Sequence, residues 1–207
     1  MRLPKPLLLA TRNEGKLREL RELLADLPLT MVCFDEVPLV DDVSETGETF
    51  AENAALKASS YATQTGLLTL SDDSGLEVDA LGGAPGVRSA RYVGKQAPDA
   101  ARVERLLAEI AALNPAKRTA RFVSVIAIAD SEGLVLSISK GICEGRIAFS
   151  PRGANGFGYD PIFIPDGYDL TFAELDTGTK NRISHRAQAL NGARSFLKTL
   201  TAPSSAR

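Results

Sequence analysis

Two β-rich runs, Thr119–Ala129 and residues 134–142, are separated only by Asp130-Ser131-Glu132-Gly133, and no other feature constrains the fold as tightly. So short a connection joins antiparallel strands, because a parallel pair needs a crossover of about a dozen residues or more. Elsewhere strand and helix signals alternate. Residues 7–10 read as a short buried strand after two prolines, and Leu17, Leu20, Leu24 and Leu27 then recur on one helical face. Residues 31–34 read as a second strand leading into a long acidic connection. Thr49-Phe50-Ala51-Glu52 has the form of a capping box, which predicts a helix from there to about Gly66. Residues 67–70 predict the next strand, residues 82–86 a turn, and residues 98–113 a helix stopped by Asn114-Pro115. A glycine-rich loop, RGANGFGYDP, then precedes a final amphipathic helix expected over residues 180–200. Alternation interrupted by a hairpin predicts an α/β fold with a mixed sheet flanked by helices.

With 207 residues, 44% of them hydrophobic and 24% charged, the chain has ordinary globular composition. One compact domain over residues 1–207 is expected, with a core to about residue 200 and a small polar tail, 201–207, that frays. The net charge of -2 gives no bulk attraction to nucleic acid or to an anionic membrane, so a polyanion must be held by a local cluster. The apolar stretch at residues 123–129 falls far short of the ~20 residues of a spanning helix. The start, MRLPKPLLLA, has a basic beginning but a very short apolar run closed by Arg12, so a secretory signal is not expected. Two cysteines and a single histidine exclude a disulfide framework and zinc motifs built on paired histidines. A soluble cytoplasmic protein is the expectation.

Four stretches offer chemistry, each with a plainer reading beside it. Thr11-Arg12-Asn13-Glu14-Gly15-Lys16 lies at a strand-to-helix junction. It reads either as an ordinary N-cap or as a phosphate site, since a helix start offers unpaired N–H groups and the positive end of a dipole. Neither a Walker A loop nor a dinucleotide fingerprint occurs in the chain. Ser71-Asp72-Asp73-Ser74-Gly75 reads as a polar turn at a strand end, or as a carboxylate pair delivered by that strand. Residues 35–52 hold Asp35, Glu36, Asp41, Asp42, Glu45, Glu48 and Glu52 without one Lys or Arg. Such a run is a solvated face, or a source of oxygen ligands for Mg²⁺, which takes few carboxylates and keeps waters and substrate phosphates.

Glycines 153, 156 and 158 interleave with Phe157, Tyr159 and Asp160, forming either a core hairpin or an aromatic floor for a base. Lys180-Asn181-Arg182-Ile183-Ser184-His185-Arg186 concentrates cations and the only histidine where a helix start favours anions. In one continuous helix Ile183, Ala187 and Leu190 mark the buried face, which directs His185 and Arg186 away from it.

Taken in order, T-x-N-x-x-K at 11–16, S-E-T-G-x-T-F-x-E-N-A at 44–54, D-D-S-G-L at 72–76, G-G-A-P-G-V-x-S-A-R-Y at 82–92, F-G-Y-D-P at 157–161 and S-H-R at 184–186 resemble the inosine/xanthosine triphosphate pyrophosphatase family. The resemblance implies an elongated mixed sheet with two α/β lobes around a central cleft, and a homodimer. It also implies Mg²⁺-dependent hydrolysis of the purine nucleotides ITP, dITP and XTP to monophosphate and pyrophosphate. Carried over residue by residue, it gives phosphate to the loop Thr11, Arg12, Asn13, Glu14, Gly15 and Lys16, with Lys57 and Ser74 nearby. It gives metal to Glu45 and Asp73, and the role of proton acceptor to Asp73. It gives the purine to Phe157, Gly158, Tyr159, Asp160, Lys180, His185 and Arg186. Other readings are a nucleotide sensor without turnover, a pyrophosphatase for modified pyrimidine nucleotides, and a single-strand nucleic-acid binder. The last lacks a basic excess and interleaved aromatics.

Overall fold

The computed structural model describes residues 6–201, so the tail expected to fray lies outside the described residues apart from the helical backbone of Thr201. Six strands form one open sheet: β1 (Leu7–Leu9), β2 (Met31–Val32), β3 (Leu68–Val78), β4 (Thr119–Ala129), β5 (Val135–Ile147) and β6 (Phe163–Pro165), in spatial order β2-β1-β3-β4-β5-β6. β1 pairs in parallel with both β2 and β3, whereas β5 and β6 are antiparallel. The mixed α/β sheet expected from the sequence is therefore present, flanked by α1 (Glu14–Leu23), α2 (Phe50–Thr65), α3 (Asp99–Glu109), α4 (Thr177–Ile183) and α5 (His185–Thr201). The Asp130–Gly133 hairpin forms as its spacing predicts, closed by Asp130 N donating to Leu134 O at 2.9 Å.

Contacts divide the chain into two compact units, each assembled from separate stretches. The first comprises residues 1–73, 125–141 and 186–207, and the second residues 74–124 and 142–185. In the first, strand alternation sorts the core onto two faces. Leu7, Leu9 and Leu70 pack with Leu20 and Leu24 near α1 and with Leu190 and Leu197 of α5. Leu8 and Ala10 point the other way, against Val40 in the connection before α2 and Tyr61 within it. α2 opens with the expected capping box, in which the Thr49 and Glu52 side chains bond each other's backbone N–H. The second unit has its own core, in which Val103 and Leu106 of α3 meet Phe122, Phe163 and Phe172.

Several boundaries differ from those expected. β3 runs on to Val78, so Asp72-Asp73-Ser74-Gly75 is not a turn at a strand end but the middle of a strand. Polar residues persist there because β3 has neighbours on both sides and helices on both faces, where they find buried partners. β5 likewise continues past residue 142 to Ile147, and β2 stops at Val32, followed by a 3-10 turn over Phe34–Glu36. α3 is shorter than the pattern suggested, with Pro98 as its N-cap and Ile110 as its C-cap. The expected helix over 180–200 is two helices. Ser184 adopts an extended ψ of 153° between them, so a helical face projected across it has no meaning. Accordingly His185 and Arg186, expected to point away from the core, are both buried.

Gly145 on β5 faces β6 so closely that a Cβ there would stand 2.3 Å from the backbone oxygen of Ile164. Gly145→Ala is expected to lower stability by ~1–3 kcal/mol, the usual range for overpacking. Urea unfolding should show this as a lower midpoint with an unchanged slope.

Candidate functional site

Adjacent residues on a strand point to opposite faces, and β3 uses this to give Asp72 and Asp73 separate partners. Asp72 shares its face with Leu70 and meets side chains from α1 and α5. Its Oδ2 lies 3.0 Å from Lys16 Nζ and 3.0 Å from Arg186 Nη2, with Arg186 Nε at 3.3 Å. The remaining side of the Arg186 guanidinium is held by Glu19 Oε2. Arg186 is 1% exposed, Asp72 2% and Glu19 6%, so three charged groups that cost much to desolvate are kept by mutual pairing. The two carboxylates outweigh burial and hold the guanidinium's pKa above its ordinary value. Lys16 goes the other way, because its desolvation exceeds the pull of Asp72.

On the opposite face Asp73 meets α2. Lys57 Nζ donates to Asp73 Oδ1 at 2.7 Å, to Glu45 Oε1 at 2.8 Å and to the backbone oxygen of Asp72 at 3.1 Å. Burial works against the ammonium's charge, yet Asp73 and Glu45 more than offset it and keep its pKa raised. Burial pushes the Asp73 carboxyl up, and Lys57 and Lys16 only partly oppose it. Asp73 Oδ2 is buried and accepts no hydrogen bond. Such an oxygen is costly to leave unmatched, so it suits a cation or a proton brought by a ligand. Among the described residues no three His, Cys, Asp or Glu side chains gather as a ready-made metal nest. The pair Glu45 and Asp73 already shares one cation, the Lys57 ammonium, and that donor set fits a hard ion whose other ligands come from water and phosphate.

The loop at 11–16 is built as an N-cap: Asn13 Oδ1 accepts from Lys16 N at 2.9 Å, and Asn13 N donates to Thr11 Oγ1 at 3.2 Å. Gly15 is buried within the first turn of α1, while Glu14 is exposed. Arg12 is exposed and pairs with Asp42 at 2.9 Å. Ser74, the next residue after Asp73, is half-buried and belongs to the second unit.

The aromatic and cationic residues expected to handle a base lie in the second unit, with the exception of Arg186. Asp160 is buried there, and its Oδ2 accepts from Phe157 N at 2.8 Å and from Lys180 Nζ at 2.5 Å. Gly156 is required beside it, since a Cβ there would fall 2.0 Å from that oxygen. Asp160 thus shapes the loop and holds Lys180, instead of presenting a bare edge to a base. The Lys180 ammonium lies 5.3 Å from the centroid of the half-buried Phe157 ring. Tyr159 is buried, donates its hydroxyl to Ser89 O at 3.1 Å, and serves the core, which raises its pKa by desolvation. His185 stacks on Phe122 with centroids 4.6 Å apart and rings 9° from parallel. Gly158 N donates to Asp99 Oδ2 at 2.6 Å.

The structure therefore gathers Lys16, Glu45, Lys57, Asp73 and Arg186 around Asp72 in one unit, and Phe157, Gly158, Asp160 and Lys180 in the other. Sequence reasoning missed Glu19 and Asp99. The signal for Glu19 was a carboxylate wedged between Leu17 and Leu20 on the apolar side of α1, while Asp99 looked like any acidic first-turn residue.

The Ham1 family pattern matches residues 7–196. A dITP/XTP pyrophosphatase of Xanthomonas campestris is 51% identical over 190 residues, covering 90% of this chain and 94% of that protein. One from Shouchella clausii is 48% identical over 184 residues, covering 89% and 92%. Among solved structures, a HAM1 protein from Coxiella burnetii superposes with a TM-score of 0.82 at 47% identity, covering 95% of this chain and 98% of the other.

The contrast between buried and exposed pairs is measurable. Asp72→Ala strips a buried carboxylate from two cations and is expected to cost about 3–5 kcal/mol. Arg12→Ala removes a solvated pair and a contact with the Phe34 ring 4.8 Å away, and should cost only about 1 kcal/mol. Denaturant unfolding of the two variants beside the parent checks both values.

Proposed function

This chain belongs to the Ham1 family, and we propose that it hydrolyses the deaminated purine nucleotides ITP, dITP and XTP to the nucleoside monophosphate and pyrophosphate, with Mg²⁺, clearing them from the nucleotide pool. The relatives named dITP/XTP pyrophosphatase support the reaction and its substrate class. The observation that carries the chemistry is Asp73, a buried carboxylate with one oxygen held by Lys57 and the other unmatched.

In this reading water attacks the α-phosphorus, the bond to the bridging oxygen breaks, pyrophosphate leaves, and Asp73 takes the proton from water. Glu45 and Asp73 would hold the metal, which would polarise a phosphoryl oxygen and help to orient water. The charged group on and around β3 contains Asp72, Asp73, Glu45 and Glu19 against Lys16, Lys57 and Arg186, an excess of one negative charge. A divalent cation reverses that sign, which favours a triphosphate despite the slightly acidic protein. Lys16 and the N–H groups of the 11–16 loop take phosphate oxygens, with Lys57 beside them, and Ser74, the residue after Asp73, adds a hydroxyl.

The purine is read by the second group. Phe157 supplies a stacking surface and Lys180 and His185 supply donors, whereas Arg186, its guanidinium held by Asp72 and Glu19, belongs to the first group. Hypoxanthine and xanthine accept at the six-position, where adenine donates, so donors favour ITP and XTP over ATP. The working protein is a cytoplasmic homodimer that takes purine nucleoside triphosphates and neither nucleic acid nor membrane. No helix among the described residues is long and apolar enough to cross a membrane.

Turnover of ITP, dITP, XTP, GTP, ATP and a modified pyrimidine triphosphate, followed by pyrophosphate release, tests the reading. The first three should lead, with pyrophosphate and monophosphate in equal amounts. Binding without steady release would indicate a sensor, and pyrimidine preference would replace the substrate class. Asp73→Asn should lower turnover by ~10² to 10⁴-fold at saturating Mg²⁺. Glu45→Gln should chiefly raise the Mg²⁺ concentration needed for half activity, and an unchanged titration would move the metal site.

A further inference from the structure

Phe157 stands in a loop that has little core of its own, since residues 153–156 are all exposed. Asn155 ties its exposed start to Ala173 O at 3.1 Å and to Leu175 O at 3.3 Å, and at the ring itself a pair of carboxylates caps successive backbone N–H groups. Asp160 Oδ2 takes the amide of Phe157 at 2.8 Å, and Asp99 Oδ2 takes the amide of Gly158 at 2.6 Å. These two carboxylates come from different places. Asp160 follows in the same loop, whereas Asp99 opens α3, a helix seated in the core of this unit through Val103 and Leu106. Its other oxygen is held by Arg102 one turn along, so the carboxylate is aimed before the loop meets it. Gly158 has φ of +62°, a left-handed conformation natural to glycine, and that conformation helps set the direction of its N–H. A charged acceptor on a backbone donor is a strong bond of its kind.

We propose that Asp99 is a positioning residue for base recognition: through the Gly158 amide it ties the Phe157 loop to a rigid helix and so sets where the stacking ring stands. This rests on the reading that Phe157 stacks on the base. Asp99 itself touches no reacting group. Its loss should weaken nucleotide binding and leave the chemical step nearly intact, because stacking contributes alike to bound substrate and transition state.

The test compares Asp99→Ala, Asp99→Asn and Phe157→Ala with the parent protein, using ITP kinetics and amide hydrogen exchange. Asp99→Ala should raise KM for ITP on the order of tenfold, with kcat within about threefold of the parent. Exchange at the Gly158 amide should accelerate while the amides of β4 keep their protection, which separates a loosened loop from an unfolded protein. Asp99→Asn keeps an acceptor of the same reach and should recover most of the lost affinity. If Phe157→Ala raises KM but Asp99→Ala does not, or if Gly158 exchange is unchanged, Asp99 has no positioning role. If Asp99→Asn is as weak as Asp99→Ala, acceptance from Gly158 is not what matters and the proposal is wrong. If Phe157→Ala leaves KM unchanged, the stacking reading itself fails and the proposal falls with it.

Discussion

Desolvated charge on a central strand is the constraint around which the first unit is organised. Asp72 and Asp73 occupy a part of β3 where both faces are covered, and an unpaired carboxylate there would be costly. Because neighbouring strand residues face opposite ways, the cost cannot be met by one partner. It is met by α1 and α5 on one side and by α2 on the other, which fixes what those helices must carry: Lys16 and Glu19, Arg186, and Lys57. Only the Asp72 side is fully matched. Asp73 keeps one buried oxygen without a hydrogen bond, so the pairing that is complete around Asp72 is left incomplete around its neighbour.

The second unit solves a different problem. A loop rich in glycine has little preference for one conformation and loses much freedom when ordered. Here the ordering comes from Asp160, Asp99, the hydroxyl of Tyr159 and the bonds of Asn155 to the backbone of Ala173 and Leu175, polar anchors on a short stretch. Glycine is still needed where the Asp160 carboxylate leaves no room for a side chain. The same residues that make the sequence look like a flexible turn make it a defined surface once the anchors are counted.

How much of this could be read beforehand depended on the range of the signal. Local patterns were legible: the capping box at Thr49 and Glu52, the hairpin at Asp130–Gly133, and the alternation that implied a mixed sheet. The extent of β3 was not, because Asp, Ser and Gly are turn formers by local preference and become strand residues only through partners distant in sequence. The orientation of His185 and Arg186 failed for a related reason. A single extended residue, Ser184, resets the helical phase, and a seven-residue pattern does not reveal it. The roles of Asp160 and Asp99 needed geometry, since what they bind is backbone, which looks the same at every position in a sequence.

The division of the chain has a consequence for how it can be handled and how it can diverge. The boundary between units falls between Asp73 and Ser74, between Ser124 and Val125, between Gly141 and Ile142, and between His185 and Arg186. No single cut therefore releases either unit as a continuous fragment, and neither can be expressed alone by trimming one end. The motifs D-D-S-G and S-H-R each straddle a crossing, so their members belong to different compact bodies although they are neighbours in sequence. Recombination that exchanged one unit for that of a relative would have to splice within both motifs, which makes the two halves heritable only as a set.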